Sequence, residues 1–309
     1  MTATAPEQAT RPTHPFTFTT SDGAQLRALE DGTPDAPLTV VLLHAWTMDS
    51  TSWDRVVAGL VRENPGAARI LRFDLRGHGG SAPAPRGGAS VQRCADDLAE
   101  LITREVPDGD VVLAGHSMGG MTAMALAERY PDLVAERITA LALVATSSGG
   151  LAEPGYRLPR PAARALNLVE RKVLRPALNA APGSRITPFP RLLEPAMRWL
   201  VFGKDPERAD IASAARSFAH CHPASTAGYR ASLAEHERTA ALAAFRDVPV
   251  VLLAGLRDRL CPRPRADLMA RELPHAEYYL YPGAGHMLPW ERTTELVRRL
   301  SSLVRSVAR

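Results

Sequence analysis

Asp110-Val-Val-Leu-Ala-Gly115 runs straight into His116-Ser117-Met118-Gly119-Gly120-Met121, and this junction decides how the rest of the chain is read. The first six residues form an apolar run of strand length. Met118 to Tyr130 reads as a helix that Pro131 stops. A serine in the pattern G-x-S-x-G, with a strand before it and a helix after it, sits on a sharp turn that lifts its hydroxyl above the C-terminal edge of a sheet. Small residues flank Ser117 so that the turn can pack. The helix beyond it points its N-terminus at the serine, which favours negative charge there, and the Met118 N–H is placed to meet an oxyanion.

Working outward, the same strand-and-helix alternation repeats. PFTFTTSDG and AQLRALEDG read as two strands around a Ser-Asp-Gly turn. Leu38-Thr-Val-Val-Leu-Leu-His44 is a continuous apolar run, the mark of a strand buried on both faces. A helix follows over about 52–62, then a strand at 69–74. Gly and Pro punctuate 77–88, and Ser90 is a suitable N-cap for a helix reaching about Arg104. Further strands are expected at 139–145, 248–255 and 276–281, with a terminal helix over the last ~20 residues. This rhythm implies βαβ units and a mainly parallel sheet, an α/β fold. The interval 149–245 breaks it: no strand stands out, and prolines divide several helical stretches. Since a structureless loop of that length is implausible, the interval reads as a helical insertion lying over the sheet. The expected organisation is a core at 1–148 with a flexible tail at 1–14, the insertion at 149–245, and the rest of the core at 246–309.

With these segments in place, the chain resembles the α/β-hydrolase superfamily over residues 15–148 and 245–309. Gly255-Leu-Arg-Asp258-Arg-Leu-Cys-Pro262 is similar to the acid loop of that family, and Gly283-Ala-Gly285-His286-Met287-Leu-Pro-Trp-Glu291 to its histidine loop. The resemblance implies a triad in the order Ser117, Asp258, His286. The imidazole would take the serine proton and return it to the leaving group, and the carboxylate would fix its tautomer. Ala145-Thr-Ser-Ser-Gly149, where some relatives keep the acid, holds no carboxylate. His44-Ala45-Trp46 stands where the family has His-Gly-x, which assigns the second oxyanion N–H to Trp46 beside that of Met118. Ala45 in place of glycine departs from the pattern, because a Cβ is disfavoured at positive φ. Arg72-Phe-Asp74-Leu-Arg76 is similar to a structural turn of the family, making Asp74 and Arg76 scaffold. The insertion falls where the family keeps its variable cap, and Met118-Gly-Gly-Met121 looks most like esterases and monoacylglycerol lipases.

The substrate pocket is harder to place. His44, His116, Trp199 and Met287 are candidates for lining it. His116 is also positional and His44 structural on the same reading, and His220, His222 and His236 are expected mainly at the solvent surface. Leu192, Leu193, Met197, Trp199, Leu200, Val201 and Phe202 form an apolar cluster that either lines an acyl pocket or docks the insertion on the core. The chemistry is ester hydrolysis through an acyl-enzyme. A thioesterase or acyltransferase acting on a CoA- or carrier-bound substrate is the alternative, its hint being Arg157, Arg160, Arg164, Arg171, Lys172 and Arg175. A catalytically silent binding protein is disfavoured, since all three triad positions are filled.

Other classes find little support. The formal charge of +4 is spread without a recognition motif, so no nucleic-acid partner is expected. Three distant cysteines fit neither a zinc site nor a disulfide framework and suit a reducing, cytoplasmic setting. The first fifteen residues lack the apolar stretch of a signal peptide, and no apolar run approaches the ~18 residues that span a bilayer. Gly77-His-Gly79-Gly80-Ser-Ala82 imitates a dinucleotide fingerprint, but Pro83, Pro85, Gly87 and Gly88 deny it the helix it needs. No cofactor and no metal are expected; the partner is a small-molecule ester or thioester.

Overall fold

A computed structural model describes residues 13–151, 179 and 183–308. Its centre is one eight-stranded sheet in the order β1-β2-β4-β3-β5-β6-β7-β8. The strands are β1 (His14–Thr19), β2 (Gln25–Gly32), β3 (Leu38–Leu43), β4 (Arg69–Phe73), β5 (Asp110–His116), β6 (Ile138–Val144), β7 (Val250–Gly255) and β8 (Glu277–Tyr281). β1 and β2 form an antiparallel hairpin that pairs antiparallel with β4, and all later pairings are parallel. Most of the tail expected at 1–14 lies outside the described residues, and His14 already opens β1.

The uninterrupted apolar runs follow from burial on both faces. Every residue of β3 and β7 is buried. Successive side chains point to opposite faces, so Val41, Leu43, Leu113, Leu141 and Leu143 join one core while Val40, Leu42, Val112, Ala114 and Ala142 join another. The first core is covered by α2 (Val91–Glu105) and α3 (Met118–Arg129), the second by α1 (Asp54–Glu63) and α10 (Thr293–Val307). Each fully buried Leu or Val contributes about 1.5–3 kcal/mol relative to exposure, so both faces of the sheet are held firmly.

Ser90 caps α2, its hydroxyl accepting the N–H of Arg93 at 3.1 Å. Pro131 does end α3, but it also opens a further short helix, α4 (Pro131–Arg137). Proline at a first helical turn costs no hydrogen bond. Residues 74–90 between β4 and α2 carry no helix, as the glycines and prolines there dictate. Asp74 accepts from Ser50 N at 2.7 Å and Gly80 N at 2.9 Å, and Arg76 is fully buried against Asp97 and Asp22. Both belong to the scaffold.

Between β6 and β7 the described residues contain helices and no strand: α5 (Glu194–Val201), α6 (Arg208–His220) and α7 (Pro223–Ala234). The cluster Arg157, Arg160, Arg164, Arg171, Lys172, Arg175 lies outside the described residues. α8 (Arg263–Glu272) follows β7, and α9 (Leu288–Glu291) leads into α10.

The strand order reverses on either side of β3: β4 lies to one side of it and β5 to the other. In open parallel sheets such a reversal leaves a crevice at the carboxyl ends of the strands, where ligands bind.

Candidate active site

Four loops meet at that crevice, one each from the ends of β3, β5, β7 and β8. The turn after β5 carries Ser117 with φ 52° and ψ −114°, strained for a residue with a Cβ. The strain is enforced by packing. A Cβ on Gly115 would lie 2.4 Å from Gly120 N, and one on Gly119 would lie 2.3 Å from the Leu43 carbonyl. No side chain fits at either position, so β5 and α3 approach closely and the serine is forced outward. Ser117 N donates to Val144 O at 2.9 Å, and Thr146 Oγ1 donates to Ser117 O at 2.7 Å, anchoring the turn to β6.

The loop after β7 holds Asp258. Its Oδ1 accepts the N–H groups of Leu260 and Cys261, each at 2.8 Å, and its Oδ2 accepts from His286 Nδ1 at 2.7 Å. Both residues are buried. With Nδ1 donating, Nε2 is the lone-pair nitrogen of a neutral His286, the tautomer that accepts a proton. His286 and Ser117 line one cavity, though among the described residues the Ser117 hydroxyl is not hydrogen-bonded to the imidazole. Such contacts are often long before substrate binds.

The β8 loop is tied down at several points. His286 N donates to Val201 O at 2.8 Å, and the His286 carbonyl faces His116 Nε2 at 2.8 Å. Glu291 accepts from Gly285 N, Met287 N and, across from the β6–β7 interval, Gly203 N. Burial raises the Glu291 carboxyl, and these N–H donors oppose the rise.

After β3, Ala45 to Met48 form a turn closed by Met48 N donating to Ala45 O at 3.0 Å. The left-handed residue is Thr47, with φ 65°, while Ala45 is not at positive φ. The glycine-to-alanine departure at 45 therefore meets no backbone conflict: the conformation a Cβ resists falls two residues later. Among the described residues neither Trp46 N nor Met118 N finds an acceptor outside regular helix bonding, and Met118 is the first residue of α3, whose opening N–H groups have no partner within the helix. These donors flank Ser117 in the chain and across the β3–β5 pair.

The cavity has a volume of about 140 Å³. Trp46, Met48, Met121, Leu260 and Met287 line it from the core, and Met197, Leu200, Val201, Phe218, Arg230 and Leu233 from the β6–β7 interval. Of the four residues named as pocket candidates, Met287 lines this cavity, and His44, His116 and Trp199 do not. His44 is fully buried beneath the turn, accepting from Leu75 N at 2.9 Å through Nε2, and burial lowers its pKa. His116 is likewise buried away from the cavity, spent on the His286 carbonyl, and burial with His286 nearby pushes it well below its usual range. Trp199 is 52% exposed on the outer face of α5, with Arg259 stacked over its ring.

His236 also departs from expectation. It is fully buried, bonded to Ser147 O and Arg238, whereas His220 is exposed. Arg230, Phe218, Leu233 and Thr47 were not singled out from sequence. α7 reads PASTAGYRASLA, too poor in large apolar residues for helical periodicity to mark its inner face. Among the described residues no cluster of three or more His, Cys, Asp and Glu is arranged to hold a metal, and no helix is long and apolar enough to cross a membrane.

The model of the alpha/beta hydrolase family matches residues 40–299. A pimeloyl-[acyl-carrier protein] methyl ester esterase of Aromatoleum aromaticum is 30% identical over 248 residues, covering 80% of this chain and 90% of that protein. The protein of the same description from Chromobacterium violaceum is 30% identical over 266 residues, covering 85% and 92%. Among solved structures, a thermophilic esterase from Thermogutta terrifontis superposes with a TM-score of 0.73 at 25% identity, over 96% of this chain and 100% of that one.

Proposed function

The chain belongs to the alpha/beta hydrolase family, and from that premise we propose that it is a carboxylic ester hydrolase working through an acyl-enzyme on Ser117. His286 takes the Ser117 proton as the hydroxyl oxygen attacks the ester carbonyl. The Trp46 and Met118 N–H groups hold the resulting oxyanion, each such donor being worth about 3–4 kcal/mol. The tetrahedral intermediate collapses, the ester C–O bond breaks, and His286 passes its proton to the departing alcohol. Water then attacks the acyl-enzyme with His286 again as base, and the acid leaves. Asp258 holds the imidazole in its accepting tautomer and stabilises the imidazolium.

One observation carries this reading: the 2.7 Å bond between His286 Nδ1 and an Asp258 carboxylate already fixed by two N–H groups, at the rim of a cavity that Ser117 lines. The 149–245 interval serves as a cap, a role supported by the seven described residues it adds to the cavity wall, Leu151 among them. The buried free thiols of Cys94, Cys221 and Cys261 support a cytoplasmic setting.

The test is turnover of p-nitrophenyl esters of graded chain length by the wild type and Ser117→Ala. Wild-type hydrolysis falling at least about 10³-fold in the variant is expected. Full activity in Ser117→Ala would remove the serine from the mechanism, and a folded wild type inert on every ester but active on acyl thioesters would move the reaction to the thioester class.

A further inference from the structure

Among the described residues Arg230 is the one Lys, Arg, Asp or Glu in the cavity wall, and the ester chemistry above does not use it. It sits on α7, half-buried, and lines the same cavity as Ser117 and His286. No Asp or Glu among the described residues shares that wall. Among the described residues its guanidinium makes no hydrogen bond and no ion pair.

Several other buried or half-buried arginines meet a carboxylate, whereas Arg299 lies over the Tyr279 ring. Arg72 is paired with Asp31 and Asp54, Arg76 with Asp22 and Asp97, Arg69 with Glu30, and Arg238 with Glu128. Withdrawing a charge from water costs free energy unless a partner of opposite sign meets it. Among the described residues Arg230 meets no such partner, and most of the wall it shares, Phe218, Leu233, Leu200 and Met121 included, is apolar. A guanidinium presents five donors in a planar fork that matches the two oxygens of a carboxylate. A ligand carboxylate entering the cavity would supply that counter-charge.

We infer that Arg230 is an anion subsite, and that the esters this enzyme takes carry a free carboxylate at the end of a short chain. The inference rests on the esterase reading and narrows it to half-esters of dicarboxylic acids. The cavity sets the length: at about 140 Å³, it is close to the roughly 150 Å³ that accommodates a benzene ring, so carboxylate and ester carbonyl are separated by a few methylenes.

The test compares mono-p-nitrophenyl adipate with p-nitrophenyl hexanoate. Both have six-carbon acyl chains, and they differ in whether the chain ends in carboxylate or methyl. After correction for spontaneous hydrolysis, kcat/KM of the wild type should favour the adipate ester. Arg230→Met should lower the adipate-to-hexanoate ratio by about tenfold or more, as loss of a charge-assisted pair implies. Arg230→Lys should keep part of it, having the charge without the fork. A ratio unmoved by Arg230→Met overturns the subsite. A second measurement needs no turnover: calorimetric binding of adipate to Ser117→Ala, expected to vanish in Ser117→Ala/Arg230→Met. Hexanoate ester turned over through Ser117, with neither ratio nor adipate binding responding to Arg230, sinks the subsite and leaves the esterase standing. Adipate bound through Arg230 by a protein that hydrolyses neither ester does the reverse. No turnover and no Arg230-dependent binding sinks both.

Discussion

His116 donates from Nε2 to the main-chain carbonyl of His286 at 2.8 Å. The residue before Ser117 thus holds His286, although β5 and β8 are separated in the sheet by β6 and β7. Burial keeps His116 neutral, and among the described residues its Nδ1 has no partner. Its polarity is spent on this one bond. Together with Val201 O at the amide and Asp258 at Nδ1, it leaves His286 little freedom.

His116→Phe keeps the ring volume and removes the donor. We expect kcat on p-nitrophenyl esters to fall about 10²-fold, as a small misplacement of a catalytic group does, with KM changing far less. His116→Gln, which keeps an N–H donor, should recover part of the loss. Equal damage to kcat and KM, with a lowered Tm, would make His116 a packing residue only.

Thr47 carries the left-handed backbone of the turn that presents Trp46 N, and a β-branched residue there stores about 1–3 kcal/mol. Thr47→Gly removes that strain but adds freedom to the unfolded chain, about 1 kcal/mol in the opposite direction. Urea unfolding should therefore change by no more than about 1 kcal/mol, while kcat drops several-fold as the turn presenting Trp46 N loosens. A loss of stability well beyond that would show that the threonine side chain is there for packing.

Glu291 gathers three N–H groups, from Gly285, Met287 and Gly203. It joins the histidine loop to the residues after α5. Glu291→Ala orphans all three donors, and a loss of at least roughly 3 kcal/mol in chemical denaturation is expected, each unsatisfied buried group costing about 1–3 kcal/mol. Glu291→Gln retains a carbonyl acceptor and should lose less. Equal stability of the alanine variant and wild type would mean that water replaces the carboxylate without penalty.

Much of this site was legible in the sequence because local and global signals agree there. β3, β5 and β7 are apolar at consecutive positions since both of their faces are covered, and the turn at Ser117 needs Gly115 and Gly119 for contacts that allow no Cβ. The cavity wall was not legible, for the opposite reason. Apolar residues occur on every side of α5 and the turn before it, so period 3.6 does not separate Met197, Leu200 and Val201, which face the cavity, from Trp199 and Leu192, which face water. His44 is recruited by Leu75 N, 31 residues away, a contact no local pattern announces. Thr47 runs against its own preference, as strained functional positions do.

His236 gives the last prediction. It is fully buried, and its two nitrogens face groups that suit only the neutral ring: Nδ1 accepts from the Arg238 guanidinium at 3.0 Å and Nε2 donates to Ser147 O at 3.1 Å. Burial first, and the Arg238 charge second, push its pKa down to about 4. Unfolded, the imidazole titrates near its usual value of about 6.5. Between these two values the unfolded chain binds a proton that the folded chain refuses, so stability rises with pH across the window and is lost on acidification. At pH 5 the loss from this one group is about 2 kcal/mol relative to pH 7. His78, held down to about 3 chiefly by burial, acts in the same direction over a wider window. Urea unfolding of the wild type at pH 7 and pH 5, set against His236→Gln, isolates the first contribution. The glutamine keeps one acceptor and one donor and does not titrate, so its stability difference between the two pH values should be smaller than that of the wild type by about 2 kcal/mol. An identical difference in both proteins would mean that His236 takes up its proton without unfolding the chain, by swinging out of its bonds to Ser147 and Arg238.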